Sequence, residues 1–448
     1  MNYKNQYQRK AHQEIDFIFL TLLPQAGLSV REEQVKLSHQ MLDTLLEGKI
    51  ALCDAGVGIG KTYAYLVACV LMRKYAAAMG NGWVCDKRPV VISTSSIALQ
   101  EAIIQEYIPF LSDIFLATGL IGSPLKAIVR KGKEHFVCDN RLEVRLEAVR
   151  DKPKNEAQKK ALFSLKQIYD MDEVANLSSF DRRLVCVPKF CPKECPGRTS
   201  CRYQMYLKQA RDPDIFFQIC NHNYLLADSS HRAKDYKPLL TDYRALIVDE
   251  AHKLPDAARQ MYGKSLCYED ILEICYFLER EHQGMAAKKL KGVFHNLFHI
   301  VSENHMTDEG PASAFRMTEE CAIALEEGKE VLKELTDKLR GIAPGWIRNQ
   351  LEKAGEVLTI FTGSSKRYIL HLEQDKGKLP QLCATSRKIP DILSGMLWSQ
   401  GFPAILTSGT LKAGNGFSRT RQENGLGKEI RVMEYVAESP FAYEKNCL

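Results

Sequence analysis

Apolar residues arrive along this chain in two rhythms, short unbroken runs and helical repeats, and the two alternate. Leu37, Met41, Leu45 and Leu46 recur at helical spacing, 49–53 is a short apolar strand candidate, and 62–75 continues as a helix. Residues 89–94 read as the next buried strand, and further strand candidates follow at 215–220, 245–248, 368–372 and 404–407. Strands alternating with helices predict an α/β fold with a parallel sheet and crossover helices. The rhythm breaks twice. Between 126 and 211 the sequence turns charged and helical, notably over 141–168. From about 253 to 362 it is helical almost throughout, with a repeat over 319–339 that Pro344 ends. The simplest organisation is one sheet domain with two insertions, preceded by residues 1–30, which carry no evident chemistry.

Composition narrows the class. A chain of 448 residues has room for two to four domains, and 45% hydrophobic with 26% charged residues fits a soluble globular protein. The longest strongly apolar stretch near the start, 17–23, is far short of the ~20 residues of a membrane helix. No signal-peptide pattern precedes it, so a cytoplasmic address and no membrane partner are expected. Net charge is only +6, but 126–211 hold 20 Lys and Arg against 11 Asp and Glu, a local +9 suited to a polyanion such as nucleic acid. Of the fourteen cysteines, Cys138, Cys186, Cys191, Cys195 and Cys201 gather in that same segment. In a long chain without an export signal they point to metal rather than disulfides.

Two motifs carry phosphate chemistry. Ala55-Gly56-Val57-Gly58-Ile59-Gly60-Lys61-Thr62 lies between a strand and a helix. Such glycines let backbone amides wrap phosphates at a helix N-terminus, Lys61 reaches the β- and γ-phosphates, and Thr62 ligates Mg²⁺. Glycine is usual where Ala55 stands, but alanine suits the position if its φ is negative. Leu246-Ile247-Val248-Asp249-Glu250-Ala251-His252 is an apolar strand ending in two carboxylates. At a strand tip beside the phosphate loop, Asp249 would hold Mg²⁺ through water and Glu250 would orient and deprotonate the attacking water. Cys191, Cys195 and Cys201, with Cys138 upstream, suit either a structural Zn²⁺ or a cubane iron–sulfur cluster; Cys186 is a fifth candidate.

Together these motifs resemble the DinG/XPD-like family of superfamily 2 DNA helicases, from about Arg31 onward. The phosphate loop looks like motif I, and Arg31 and Gln34 look like the adenine-reading Q-motif. Thr94-Ser95, followed by Leu99-Gln100, looks like motif Ia, which holds the DNA backbone. Asp249 to His252 is similar to the DEAH box, and Thr407-Ser408-Gly409-Thr410-Leu411 resembles motif III, with glycine where alanine is usual at 409. His252, Ser408 and Thr410 would then couple the motifs, and Asn221-His222 matches the family's Asn-His pair. The resemblance implies a RecA-like motor domain, ATP and Mg²⁺ as cofactors, and a [4Fe–4S] cluster on Cys138, Cys191, Cys195 and Cys201. It also implies 5′-to-3′ movement on single-stranded or forked DNA in repair, the strand passing between arch, cluster domain and motor. Arg202 and Tyr203, after the last cysteine, are candidate DNA contacts.

The expected layout is an extension over 1–30, motor segments over 31–125, 212–252 and 363–437, a cluster domain over 126–211 and a helical arch over 253–362. Glu438-Ser439-Pro440-Phe441 resembles the lead-in to a second motor domain, of which 438–448 would be the start. In the resembling family ATP is hydrolysed between the two motor domains. Poor hydrolysis by this chain alone is therefore expected, with a separate chain supplying domain 2 as one partner the reading allows. The alternative is a truncated, non-catalytic DNA-binding or regulatory relative.

Overall fold

The computed structural model describes residues 6–76, 87–150, 156–188, 191, 194–305, 312–341, 343–363, 366–374, 379–414 and 416–438. Residues 439–448, which hold most of the lead-in to a second motor domain, lie outside them.

The strands follow the apolar runs. In chain order they are β1 Ile50–Ala55, β2 Val90–Thr94, β3 Lys126–Arg130, β4 Ile215–Cys220, β5 Ala245–Asp249, β6 Lys264–Leu266, β7 Ala312–Ala314, β8 Tyr368–Glu373, β9 Gln381–Ser386, β10 Ala404–Ser408 and β11 Val432–Ala437. Seven form one sheet in the order β11-β1-β10-β5-β2-β4-β3. Every pairing in it is parallel. Strands β2, β4, β5 and β10 are buried along their whole length, as a sheet covered on both faces requires. The α/β parallel-sheet class expected from the alternating rhythm is thus the class observed.

The chain divides into two compact units, Met1–Leu254 with Leu393–Leu448, and Pro255–Ile392. The second unit has four long helices, Tyr268–Arg280, Gly284–His305, Glu319–Lys338 and Gly345–Thr362, each packed on the next. They share one core with an antiparallel sheet in the order β6-β9-β8-β7. This corrects the expected boundaries. The strand at 368–372 was assigned with the motor's final part, but it pairs antiparallel with β9 inside the second unit. Likewise 126–130, expected to open the cluster domain, is the edge strand β3 of the large sheet.

Residues 1–30 also gain a role. The helix Gln6–Phe17 buries Ala11 and Ile15 in the main core. It is tied to the helix Glu32–Leu46 by a line of polar contacts. His12 Nε2 meets Asp43 at 2.7 Å, His39 Nε2 meets Asp16 at 2.8 Å, and the two Nδ1 atoms lie 2.6 Å apart.

Candidate nucleotide site and thiol cluster

Parallel pairing places the tips of β1, β10 and β5 side by side. Asp54 pairs with Ser408, and Thr407 with Asp249, so the phosphate loop and the acidic pair leave the same edge of the sheet with one strand between them. Ala55 ends β1 outside the left-handed region, while Gly58 (φ +85°) and Gly60 (φ +88°) carry the turn. The positive φ is what calls for glycine at 60, and the absence of a Cβ also leaves room for the Gln34 amide against the loop. Arg31 Nη1 donates to the Gly58 carbonyl at 2.6 Å and Gln34 Nε2 to that of Gly60 at 2.8 Å, which fixes the loop from the preceding helix.

Lys61 opens the helix Lys61–Ala76 and its Nζ donates to the Ala55 carbonyl at 3.0 Å, while Thr62 follows it, half-buried. One turn on, the Tyr65 hydroxyl donates to Asp249 Oδ2 at 3.2 Å. Burial pushes the Asp249 carboxyl up to about 6, Lys61 pulls it down, and Glu250 raises it. The lysine and the acid therefore share one pocket electrostatically. Because its value lies above the ordinary 3.8, ionising Asp249 opposes folding, and the stability it contributes is lost as pH rises from 3.8 through about 6. A bound cation would favour the ionised form. Mg²⁺-dependent nucleotide binding is accordingly expected to weaken by about tenfold per pH unit below about 6. A titration with a fluorescent nucleotide at fixed Mg²⁺ checks this, and a flat profile between pH 5 and 7 contradicts it.

Glu250 sits in the left-handed region at φ 54°, a conformation that costs on the order of 1–3 kcal/mol for a residue of this kind. Its amide donates to Asp249 Oδ1 at 2.9 Å. The turn points its carboxylate at β10, where Ser408 Oγ donates to Glu250 Oε2 at 3.2 Å and meets His252 Nδ1 at 2.7 Å. If the serine donates to the carboxylate, His252 Nδ1 must carry the proton it gives to the serine. His252, Ser408 and Glu250 are thereby brought together, whereas Thr410 stands exposed in the bend beyond, outside this chain. A Cβ on Gly409 would meet the Ala55 carbonyl and Gly56 Cα at 3.6 Å, ordinary contact, and its φ is not positive. Gly409→Ala is therefore expected to change the unfolding free energy by less than about 1 kcal/mol and nucleotide affinity by less than about twofold. Denaturant unfolding and nucleotide titration would reveal a larger loss.

Sequence reading misses Tyr65 altogether and notes His222 only as half of the Asn-His pair. Tyr65 is one helical turn from Lys61, a spacing that could have drawn attention to it. His222 is buried and kept neutral by burial, its ring lowered to about 4, with Nδ1 2.8 Å from Ser93 Oγ.

The proposed DNA contacts fare differently. Thr94 and Gln100 are buried, the latter donating to the Thr94 carbonyl at 3.5 Å, so both brace the loop after β2 and neither side chain faces outward. Arg202 is spent within its own domain. Its Nε donates to Asp139 at 3.0 Å and its Nη2 to the Leu165 carbonyl at 2.8 Å. Tyr203 packs at a tilt against Phe136 and stacks with Tyr206. Packing satisfies all four. Much of the local positive charge is likewise neutralised, through Lys131 with Asp170, Arg145 with Asp181, and Arg182 with Asp172.

The thiols sit at element ends. Cys138 precedes the helix Asp139–Val149 and Cys201 the helix Arg202–Gln209, so each stands at a helix N-terminus. Burial pushes the Cys191 thiol up, Lys133 draws it back, and Cys138, Cys201 and Cys195 push it up further. The four are thus electrostatic neighbours. Asn140 Nδ2 donates to Cys195 Sγ at 3.5 Å. Cys186 is engaged elsewhere, its Sγ on the Arg183 carbonyl at 3.4 Å and 3.7 Å from Arg141 Nη1.

No family model matches the chain. It is 22% identical over 466 residues to the ATP-dependent DNA helicase YoaA of Haemophilus influenzae, covering 94% of this chain and 65% of that protein. It is 23% identical over 472 residues to the ATP-dependent DNA helicase DinG of Escherichia coli, covering 88% and 62%. The chain is thus similar in sequence to the DinG-like helicases. It spans less than two thirds of the length of both of these DinG-like proteins. A solved XPD helicase structure aligns with 92% of the chain at 13% identity, with a TM-score of 0.45. Among the described residues no helix is long and apolar enough to cross a membrane.

Proposed function

We propose that this chain is the nucleotide-binding motor portion of an ATP-dependent DNA helicase that moves 5′ to 3′ on single-stranded DNA, acts in repair and works in the cytoplasm. What carries the reading is the convergence of Lys61 and Asp249 at strand tips separated by one strand, with Tyr65 of the Lys61 helix donating to Asp249. In this reading Arg31 and Gln34 read adenine, the loop from Ala55 through Gly56, Gly58 and Gly60 wraps the phosphates, and Lys61 meets the β- and γ-phosphates. Thr62 and Asp249 hold Mg²⁺, and Glu250 orients and deprotonates the attacking water. His252 and Ser408 sense the Glu250 carboxylate, and Thr410 continues that link outward. Cys138, Cys191, Cys195 and Cys201 hold a [4Fe–4S] cluster, which would supply a covalent brace for the insert. The donor set supports it: four thiols, two at helix N-termini, one with an amide donor.

The deciding experiment compares DNA-stimulated ATP hydrolysis and unwinding by this chain alone and by the protein extended to the length of its relatives, each with Lys61→Ala. Binding of Mg-ATP that Lys61→Ala abolishes, with 5′-to-3′ unwinding by the longer form, is the expected result. Nucleotide binding indifferent to Lys61 overturns the proposal.

A further inference from the structure

The second unit carries a separate cluster of metal-binding side chains. On β8 and β9 the core-facing positions are Leu370, Leu372, Leu382 and Ala384, which pack into the helical core. Side chains alternate along a strand, so His371, Glu373 and Cys383 share the opposite face. His371 and Cys383 are directly paired across the ladder, and Glu373 follows two residues after the histidine. The imidazole nitrogen, the thiol sulfur and a carboxylate oxygen all lie within 4.8 Å of one another, and His371 Nε2 is 3.3 Å from Glu373 Oε1.

We propose that His371, Glu373 and Cys383 form a binding site for a divalent transition-metal ion of the zinc type, held by three protein ligands with one position open.

The chemistry of the three donors fits. Nitrogen, thiolate and carboxylate is a borderline-soft set that suits Zn²⁺ and its neighbours and is poor for Ca²⁺ or Mg²⁺, which take oxygens. Tetrahedral bonds of about 2.0–2.3 Å put donors about 3.3–3.8 Å apart, so closing the site needs roughly an ångström of side-chain adjustment on a fixed ladder. A histidine and a carboxylate two apart on a strand point the same way without any loop to order. Cys383 is buried on the ladder directly opposite His371, so its sulfur is held in place beside the other two donors. The exposed carboxylate and half-buried ring leave a route in from solvent. The site shares no residue with the four thiols of the first unit, so it stands whether or not they hold iron.

The test is a Co²⁺ titration of the anaerobically purified full chain, read as the difference spectrum for a thiolate-to-cobalt band, with zinc competing. Expected is one equivalent of zinc-displaceable cobalt that persists in Cys191→Ser. Cys383→Ser should abolish the band. His371→Ala, a half-buried position outside the core, should weaken binding by more than about tenfold, since even groups that only support a ligand contribute 10–100-fold. No such band, or a band lost in Cys191→Ser and kept in Cys383→Ser, overturns the assignment. If Cys383→Ser fails to fold, the His371→Ala affinity decides alone: unchanged affinity overturns it.

Discussion

Glu250→Gln is expected to lower ATP turnover by about 10²–10⁴-fold while leaving Mg-nucleotide affinity within about twofold. The reason lies in what the carboxylate touches. It accepts from Ser408 at 3.2 Å and lies 3.3 Å from His252, and neither contact supports the phosphate loop. Glutamine keeps the volume and an acceptor oxygen for Ser408, so the left-handed turn and the serine contact persist. What it lacks is basicity toward water. Single-turnover hydrolysis with bound nucleotide measured in parallel separates the two effects. Turnover within tenfold of the parent would remove Glu250 from the chemistry.

Cys191→Ser is expected to remove nearly all bound iron and to make the insert protease-sensitive, while the sheet still binds nucleotide. The insert's own apolar core is small, built around Val137, Leu142, Leu162 and Val185. Binding free energy at such a centre is folding free energy, on the order of 10 kcal/mol for comparable structural metal sites. Cys186→Ser makes the contrast, because that thiol bonds the Arg183 carbonyl, and its iron content should match the parent. Iron analysis and limited proteolysis read both variants. Equal iron in Cys191→Ser and the parent would exclude the four-thiol set.

Where the sequence was legible, the signal was local. β2, β4, β5 and β10 are unbroken apolar runs because both their faces are covered. β3 and β11 lie at the sheet's edges and carry charges, Lys126 and Glu434 among them, so they read as surface sequence. The run at 368–372 reads as a strand, but a strand's pattern does not name its partner, and it joined the other sheet. The phosphate loop and acidic box are each contained in eight residues or fewer. Tyr65 reaches Asp249 across 184 residues, a contact no local pattern encodes. The candidate DNA contacts illustrate a related limit of local pattern: an arginine beside a tyrosine looks the same whether it meets a phosphate or, as Arg202 does here, a neighbouring Asp139.

The paired histidines near the N-terminus have a consequence for the nucleotide loop. Each outer ring nitrogen faces a carboxylate, and a short contact joins the two inner ones. The helix this clasp secures is the one whose first turn delivers Arg31 and Gln34 to Gly58 and Gly60. The opening segment, chemically silent on its own, therefore acts as the anchor that keeps Arg31 and Gln34 in register with the loop, and a version of the protein beginning at Arg31 would release them.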